Sequence, residues 1–182
     1  MRLSAGRLPC IVMNRKNAVS RPTSQGQGVS EIHIRKMLNV DVPACMAILE
    51  GWNMAPRPQA DGAAEPERTG IEVANGFVAE VDGRVVGTCG YIIHSPELAE
   101  TASLAVAPSF RGARVGFLLQ SARLDEMRRR GIRRVRTEAD RPETIRWYVE
   151  MFGYRIVGTN PKKHAFSLED VDFWTVLELD LG

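Results

Sequence analysis

Apolar and polar residues alternate along three separate stretches of this 182-residue chain. The stretches are residues 32–37 (IHIRKM), 100–106 (ETASLAV) and 173–181 (FWTVLELDL). Because successive side chains of a β-strand point to opposite faces of a sheet, this alternation predicts three strands. Two shorter strand-like runs, 132–139 (IRRVRTEA) and 154–158 (YRIVG), extend the prediction to the second half of the chain.

A β-hairpin is the clearest local signal in the pattern. The strand-like runs 77–81 (FVAEV) and 84–94 (RVVGTCGYIIH) are separated only by the dipeptide Asp82-Gly83. Asp-Gly suits a type I′ turn, in which both central residues need a positive φ. Apolar residues occupy both faces of the second run, so we expect the sheet to be covered on both sides.

Three stretches carry their apolar residues at helical spacing. In residues 115–130 the apolar side chains recur three and four positions apart, and arginines occupy the last turn, where cations complement the helix dipole. Residues 141–153 (RPETIRWYVEMFG) and 41–53 (DVPACMAILEGWN) are predicted as the other two helices. We expect the Asp41 side chain to cap the free amide groups of the latter.

The order of these elements, βα, βββ, α, β, α, ββ, predicts an α/β fold with a mixed, mostly antiparallel sheet flanked by helices. The chain is long enough to bury one core, so we expect a single domain over residues 31–182. Residues 1–30 show no sustained periodicity, and we expect a disordered basic arm there. A mitochondrial transit peptide is the alternative, because it is also basic and free of acidic residues.

Charge and composition argue against several classes of function. Five basic residues precede Glu31, the first acidic residue, and removing them from the 24 basic residues leaves 19 against 22 acidic ones. This balance argues against nucleic acid as a partner, and no run approaches the roughly 18 apolar residues of a membrane span. Three dispersed cysteines and three dispersed histidines indicate no disulfide framework and no metal site. We expect a cytoplasmic protein without a membrane partner.

Residues 109–116 (SFRGARVG) lie at the junction between the predicted strand 100–106 and the predicted helix 115–130. A glycine-rich turn into a helix leaves amide N–H groups pointing outward, and the helix dipole adds to their attraction for an anion. Phosphate or pyrophosphate fits such a junction, and Arg111 and Arg114 add positive charge. The spacing matches neither the nucleoside-triphosphate loop nor the dinucleotide fingerprint.

The segment LAVAPSFRGARVGFLLQ, residues 104–120, resembles the acetyl-coenzyme A loop of the GCN5-related N-acetyltransferases, GNAT, whose pattern is [QR]-x-x-G-x-[GA]. The order of elements over residues 31–181 is similar to that family too, which implies the acyl-CoA N-acyltransferase (GNAT) fold and acetyl-CoA as co-substrate. The resemblance implies nine cofactor-binding residues: Leu104, Ala105 and Val106 along the pantetheine arm, and Arg111, Gly112, Ala113, Arg114, Val115 and Gly116 around the pyrophosphate.

Arg114 departs from the family pattern, which has a glycine at this position. If the residue has ordinary right-handed helical angles, an arginine costs little and adds a cation near the phosphate. If it needs a positive φ, the side chain introduces a strain of about 1 to 3 kcal/mol. We expect the first case.

Acetylation of an amine requires a base for the amine proton and a proton for the departing thiolate. Glu100 stands where some members of the resembled family carry a catalytic glutamate, and Glu97 is the alternative. Tyr148 is the candidate acid for the thiolate. Tyr148 lies five residues before Gly153, whereas the family tyrosine lies four residues before the glycine, so Val149 occupies the family position. The alternative interpretation of Tyr148 is an aromatic residue of the core.

The resemblance implies an N-acetyltransferase that moves an acetyl group from acetyl-CoA to a primary amine by direct attack in a ternary complex. We expect a small-molecule amine; a protein lysine or N-terminus, or a silent CoA-binding sensor, are the alternatives. The family also implies a possible homodimer. The loop 55–72 and the cluster of Lys162, Lys163 and His164 are candidate acceptor contacts, although a solvated loop is an alternative for the cluster. His94 is interpreted as a turn residue.

Overall fold

The computed structural model describes residues 31–55, 72–162 and 167–182. The predicted basic arm 1–30, most of the predicted loop 55–72, and Lys163 and His164 lie outside the described residues. Short 3-10 helices occupy Asn39–Asp41, Val73–Asn75 and Pro108–Phe110. The main elements, in chain order, are β1 (His33–Lys36), α1 (Val42–Glu50), β2 (Gly76–Val81), β3 (Arg84–Ser95), β4 (Leu98–Val106), α2 (Val115–Arg129), β5 (Arg134–Ala139), α3 (Pro142–Phe152), β6 (Arg155–Pro161) and β7 (Phe173–Asp180).

Seven strands form one sheet in the order β1-β2-β3-β4-β5-β7-β6. All neighbours are antiparallel except β4 and β5, which are parallel and connected through α2. The predicted mixed, mostly antiparallel α/β fold is therefore confirmed. Asp82 and Gly83 both have a positive φ, 49° and 73°, as the predicted hairpin turn requires.

Both faces of the sheet are covered. Alternate residues of β2 pack on opposite sides, since Phe77 joins the core cluster that contains α2, whereas Val78 packs with Cys45 of α1. Gly87 of β3 lets α2 approach closely, because a Cβ at this position would stand 2.9 Å from side-chain carbons of Val115 and Leu119. No helix of the described part of the chain is long and apolar enough to cross a membrane.

Strands β4 and β5 pair over only part of their length. Their parallel ladder runs from Leu98 opposite Arg134 to Glu100 opposite Arg136, and beyond it β5 continues to pair with β7 alone. A register shift in the β3–β4 ladder coincides with Ser103, which has a φ of 55°. The bulge bends β4, and the sheet opens between β4 and β5.

The predicted cap of α1 is wrong. Asp41 precedes the helix, but its carboxylate makes no hydrogen bond to the helix amides. It instead accepts hydrogen bonds from Arg35, at 2.7 and 2.9 Å, and from the Leu38 amide at 2.8 Å. The Arg35 guanidinium holds the pKa of Asp41 below its usual range, although burial opposes this effect. A charged partner thus outcompetes the neutral amides of the helix.

Candidate functional site

A cavity of about 760 Å³ opens where β4 and β5 separate. Its walls are β4 from Glu100 to Val106, the turn and first residues of α2, the end of β5, and one face of α3. Of the nine predicted cofactor-binding residues, all except Ala113 line this cavity, together with Glu100 and Tyr148. The separation of the two strands therefore brings the predicted binding loop and both predicted catalytic side chains together.

The start of α2 offers free amide groups to the cavity. The helix has no side-chain cap, and its first backbone bond runs from Leu118 N–H to the Arg114 carbonyl. The amides of Val115, Gly116 and Phe117 consequently lack helical acceptors. Gly112 in the preceding turn has a φ of 79°, a conformation that favours glycine. This arrangement can bind an anion such as a phosphate through backbone N–H groups and the helix dipole.

Arg114 does not have the helical angles that we expected. It is the N-cap of α2, with φ 64° and ψ 6°, which is the left-handed region. The turn from the 3-10 helix into α2 demands this conformation, and an arginine adopts it at the cost of strain. Its guanidinium lies 5.7 Å from the ring centroid of Phe117, so the positive charge remains beside the start of α2.

The backbone of β4 presents polar groups to the open side of the sheet. The indole N–H of Trp52 donates a 2.9 Å hydrogen bond to the Val106 carbonyl. In a strand, the N–H and C=O of one residue point to the same side, so the Val106 amide also faces away from β3. Two guanidinium groups lie near the Trp52 ring, that of Arg111 at 5.1 Å and that of Arg141 at 5.4 Å from its centroid.

Glu100 lies on β4 at the point where the strands separate. Its carboxylate is 2.9 Å from the Nε2 atom of His94, and 29% of its side chain is exposed. His94 belongs to β3, so its interpretation as a turn residue is wrong; β3 continues to Ser95 because the β3–β4 connection is tight. Glu97, the alternative base, is 69% exposed, lies near Arg133 and is absent from the cavity wall.

Tyr148 lies on the inner face of α3, with 4% of its surface exposed. Its ring contacts Trp147 and Tyr154 edge to face, and the side chain lines the cavity. Val149, at the family position, is half-exposed instead. The extra residue before Gly153 therefore leaves the tyrosine, not the valine, directed to the cavity.

Sequence reasoning missed the residues beneath this tyrosine. Arg123 of α2 is fully buried, and its Nη2 atom donates a 3.1 Å hydrogen bond to the Tyr148 hydroxyl. Gln120, also fully buried, accepts from Arg123 Nε at 2.6 Å and donates to Tyr154 at 3.1 Å. The signal available in the sequence was a pair of polar residues, Gln120 and Arg123, four and seven residues beyond Gly116. Their hydrogen-bond partners Tyr154 and Tyr148 are distant in sequence, so the sequence alone does not show what the pair contacts.

Further polar groups line the cavity or lie beside it. The Thr101 hydroxyl is buried and has no hydrogen-bond partner within the described residues. Arg141 Nε donates to the Ser167 hydroxyl at 3.1 Å. Lys162, predicted in an acceptor-contacting or solvated cluster, instead forms an ion pair with Asp140, and both side chains are 5% exposed. Across residues 31–55, 72–162 and 167–182, no three His, Cys, Asp or Glu side chains come together as metal ligands would.

Comparison with known proteins relates this geometry to one family. Residues 42–154, more than half of the chain, match the model of the acetyltransferase (GNAT) family. The chain is similar to mycothiol acetyltransferase from Sanguibacter keddieii, with 34% identity over 98 residues that cover 50% of this chain and 31% of that protein. The chain thus spans only about a third of the length of this curated relative.

Two solved structures illustrate the similarity in fold. One is the ribosomal-protein-S18-alanine N-acetyltransferase from Escherichia coli, with a TM-score of 0.65, 17% identity, and coverage of 84% of this chain and 95% of that chain. The other is yncA from Salmonella typhimurium with its cofactor acetyl-CoA, with a TM-score of 0.64, 18% identity, and coverage of 84% and 95%.

Proposed function

Because the chain belongs to the acetyltransferase (GNAT) family, we propose that it transfers the acetyl group of acetyl-CoA to the primary amine of a small molecule in a ternary complex. The observation that carries this proposal is the cavity at the β4–β5 separation. Unpaired amides, a carboxylate and a phenol all line it. These are the groups that acetyl transfer needs: an anion site, a base and an acid.

The co-substrate is proposed to extend from α2 to β4. Its pyrophosphate meets the amides of Val115 to Phe117, with Arg111 and Arg114 as neighbouring cations. Its pantetheine arm follows the backbone of Leu104 to Val106. A backbone N–H of this segment can donate a hydrogen bond to the thioester oxygen, which polarises the carbonyl and stabilises the negative charge that develops on that oxygen.

Glu100 is proposed as the base. Its contact with His94 orients the carboxylate at the cavity wall, and the partial exposure of both side chains allows the proton to pass to solvent. The amine nitrogen attacks the thioester carbonyl carbon and forms the C–N bond. The proton that the nitrogen loses goes to Glu100, directly or through a water molecule.

Tyr148 is proposed as the acid. When the tetrahedral intermediate collapses, the C–S bond breaks and sulfur leaves with the electron pair. The phenol then gives its proton to the thiolate, and solvent restores the proton to the phenol. The aromatic neighbours of Tyr148 keep its ring in one orientation toward the cavity.

A small acceptor is favoured by the polar side chains that line the cavity outside the proposed acetyl-CoA site. The Thr101 hydroxyl and the Arg141 guanidinium can hold polar groups of an acceptor there. The name of the similar mycothiol acetyltransferase also refers to a small molecule. We further propose that residues 31–182 suffice for the reaction.

Mass spectrometry of the purified protein with acetyl-CoA and a pooled library of small amines tests the proposal, with free thiol recorded in parallel. We expect a product heavier by one acetyl group. Glu100→Gln should lower its rate by about 10²- to 10⁴-fold. Glu97→Gln is the matched control, because Glu97 lies outside the cavity, and it should retain the wild-type rate.

Binding of coenzyme A is measured separately by thermal shift, where the expected stabilisation follows RT ln(1 + [L]/Kd). Arg111→Ala should reduce that stabilisation. Binding without thiol release from any amine of the library would contradict a small acceptor and favour a protein acceptor or a sensor. No thermal shift at millimolar coenzyme A would contradict the whole proposal.

A further inference from the structure

Arg123 of α2 carries a buried positive charge. Its side chain is fully buried, and within the described residues its hydrogen bonds all go to neutral groups. Burying an unpaired guanidinium is costly unless each N–H finds an acceptor. A core position of α2 could be filled by an apolar residue instead. The cost therefore indicates a role for the charge itself.

The hydrogen bond between Arg123 and Tyr148 determines which side of the phenol oxygen carries the phenol proton. A guanidinium has only donors, so the Tyr148 oxygen must be the acceptor of the 3.1 Å hydrogen bond. The phenol then keeps its own proton for another acceptor. Because the Tyr148 side chain lines the cavity, we infer that this acceptor is a group bound in the cavity.

Arg123 is itself fixed in place from three directions. Gln120 Oε1 accepts from its Nε atom at 2.6 Å. Its Nη1 atom donates to the carbonyls of Gly90 and Ala102, each at 3.0 Å. Ala102 directly precedes the bulge at Ser103, so one guanidinium connects the bent part of β4 to the hydroxyl of Tyr148.

We propose that Arg123 is a positioning residue for thiolate protonation: it orients the Tyr148 phenol toward the cavity and stabilises the phenolate that remains after proton transfer. This inference rests on the proposed function. In the step itself, the C–S bond has broken, the sulfur carries the electron pair, and the Tyr148 proton moves to sulfur. The negative charge left on the phenol oxygen is then paired with the Arg123 guanidinium, until a solvent proton neutralises it.

Two substitutions test the charge and the geometry separately. Arg123→Lys keeps the charge but loses the planar set of donors. Gln120→Glu keeps the geometry and places a carboxylate against Arg123, which cancels its charge. A glutamate here can accept a hydrogen bond from Tyr154 in place of donating one, so this variant is expected to fold even if Arg123→Lys does not. Arg128→Lys, on the exposed side of the same helix, is the matched control.

The assay is acetyl transfer from acetyl-CoA to the amine identified by mass spectrometry, followed over pH. We expect Arg123→Lys and Gln120→Glu to lower kcat by about 10- to 100-fold, with the KM for acetyl-CoA changed by less than about threefold. Gln120→Glu should also move the alkaline limb of the kcat profile to higher pH, which a purely structural defect would not do, whereas Arg123→Lys, which keeps the charge, should leave that limb in place. Among the described residues, Arg123 and Tyr154 contact Tyr148 and can influence this limb. The same cavity is also lined by the ionisable residues Glu100, Glu138, Asp140, Arg141 and Glu143.

A double-mutant cycle with Tyr148→Phe completes the test. If Arg123 acts through the phenol, Gln120→Glu should have no further effect on kcat in the Tyr148→Phe background. Multiplicative effects of the two substitutions, or an unchanged alkaline limb in Gln120→Glu, would overturn the inference while leaving the proposed function intact. A wild-type protein that binds coenzyme A and transfers no acetyl group would overturn the proposed function, and this inference with it.

Discussion

Replacing Arg114 with glycine should stabilise the protein relative to Arg114→Ala. Both variants lose the guanidinium and its contact with Phe117, so the difference between them reports the backbone alone. At a φ of 64°, a non-glycine residue costs about 1 to 2 kcal/mol. The greater conformational freedom of glycine in the unfolded chain offsets about 0.5 to 1 kcal/mol of this gain in stability. The expected net gain of Arg114→Gly over Arg114→Ala is about 0.5 to 1 kcal/mol.

Thermal unfolding of the two variants without ligand measures this difference. For a chain of this length, a gain of about 1 kcal/mol raises Tm by roughly 2 to 4 °C, so we expect a difference of about 1 to 4 °C. Titration with coenzyme A in each variant then reports the loss of the cation, which should be similar in both. A Tm of Arg114→Gly equal to or below that of Arg114→Ala would refute the assignment of strain to this residue.

Three further predictions concern other positions. Gly116→Ala should leave the fold intact, because a Cβ there would stand 3.8 Å from Val106, yet it should weaken coenzyme A binding in a calorimetric titration by crowding the amides of α2. Since the folded pKa of Asp41 is lowered, its stabilisation is present above the unfolded pKa of about 3.9 and is lost as pH falls through the folded value. Urea unfolding should therefore show Asp41→Asn less stable than wild type at pH 7, with a deficit that shrinks as the pH falls below about 3.9, and a deficit that does not change with pH would contradict this. Burial raises the pKa of Cys89 to about 11 and that of Cys45 as well, so neither thiol should react with an Ellman-type reagent at pH 8 until the protein is denatured.

The parts of the fold that were predictable depend on short-range chemistry. Asp82-Gly83 determines the hairpin because the turn needs two positive φ angles, and adjacent residues supply them. The alternation of β7 likewise follows from its own residues. Arg114 was mispredicted because its conformation is set by how the 3-10 helix before it joins α2, and a local pattern does not contain that angle.

The parts that were not predictable depend on contacts between different elements of the fold. Asp41 was expected to cap α1, but Arg35, which pairs with it, comes from the neighbouring strand β1. Arg123 and Tyr148 are brought together only because α2 and α3 pack on the same face of the sheet. The separation of β4 from β5 is equally non-local, since it requires the bulge at Ser103 and the pairing of β5 with β7.

Backbone strain is concentrated at the cavity. Among the described residues, five non-glycine residues have a positive φ: Asn53, Asp82, Ser103, Arg114 and Ser167. Asp82 is explained by its hairpin, whereas Ser103, Arg114 and Ser167 line the cavity and Asn53 hydrogen-bonds to Ser167 through both backbone and side chain. Such conformations persist only where the surrounding structure enforces them. At Ser103 the result is a bent β4, and at Arg114 it is a set of free amides at α2. Relief of strain at either position should therefore increase stability without improving acetyl transfer, because the strained conformations create the polar surfaces that a ligand would contact.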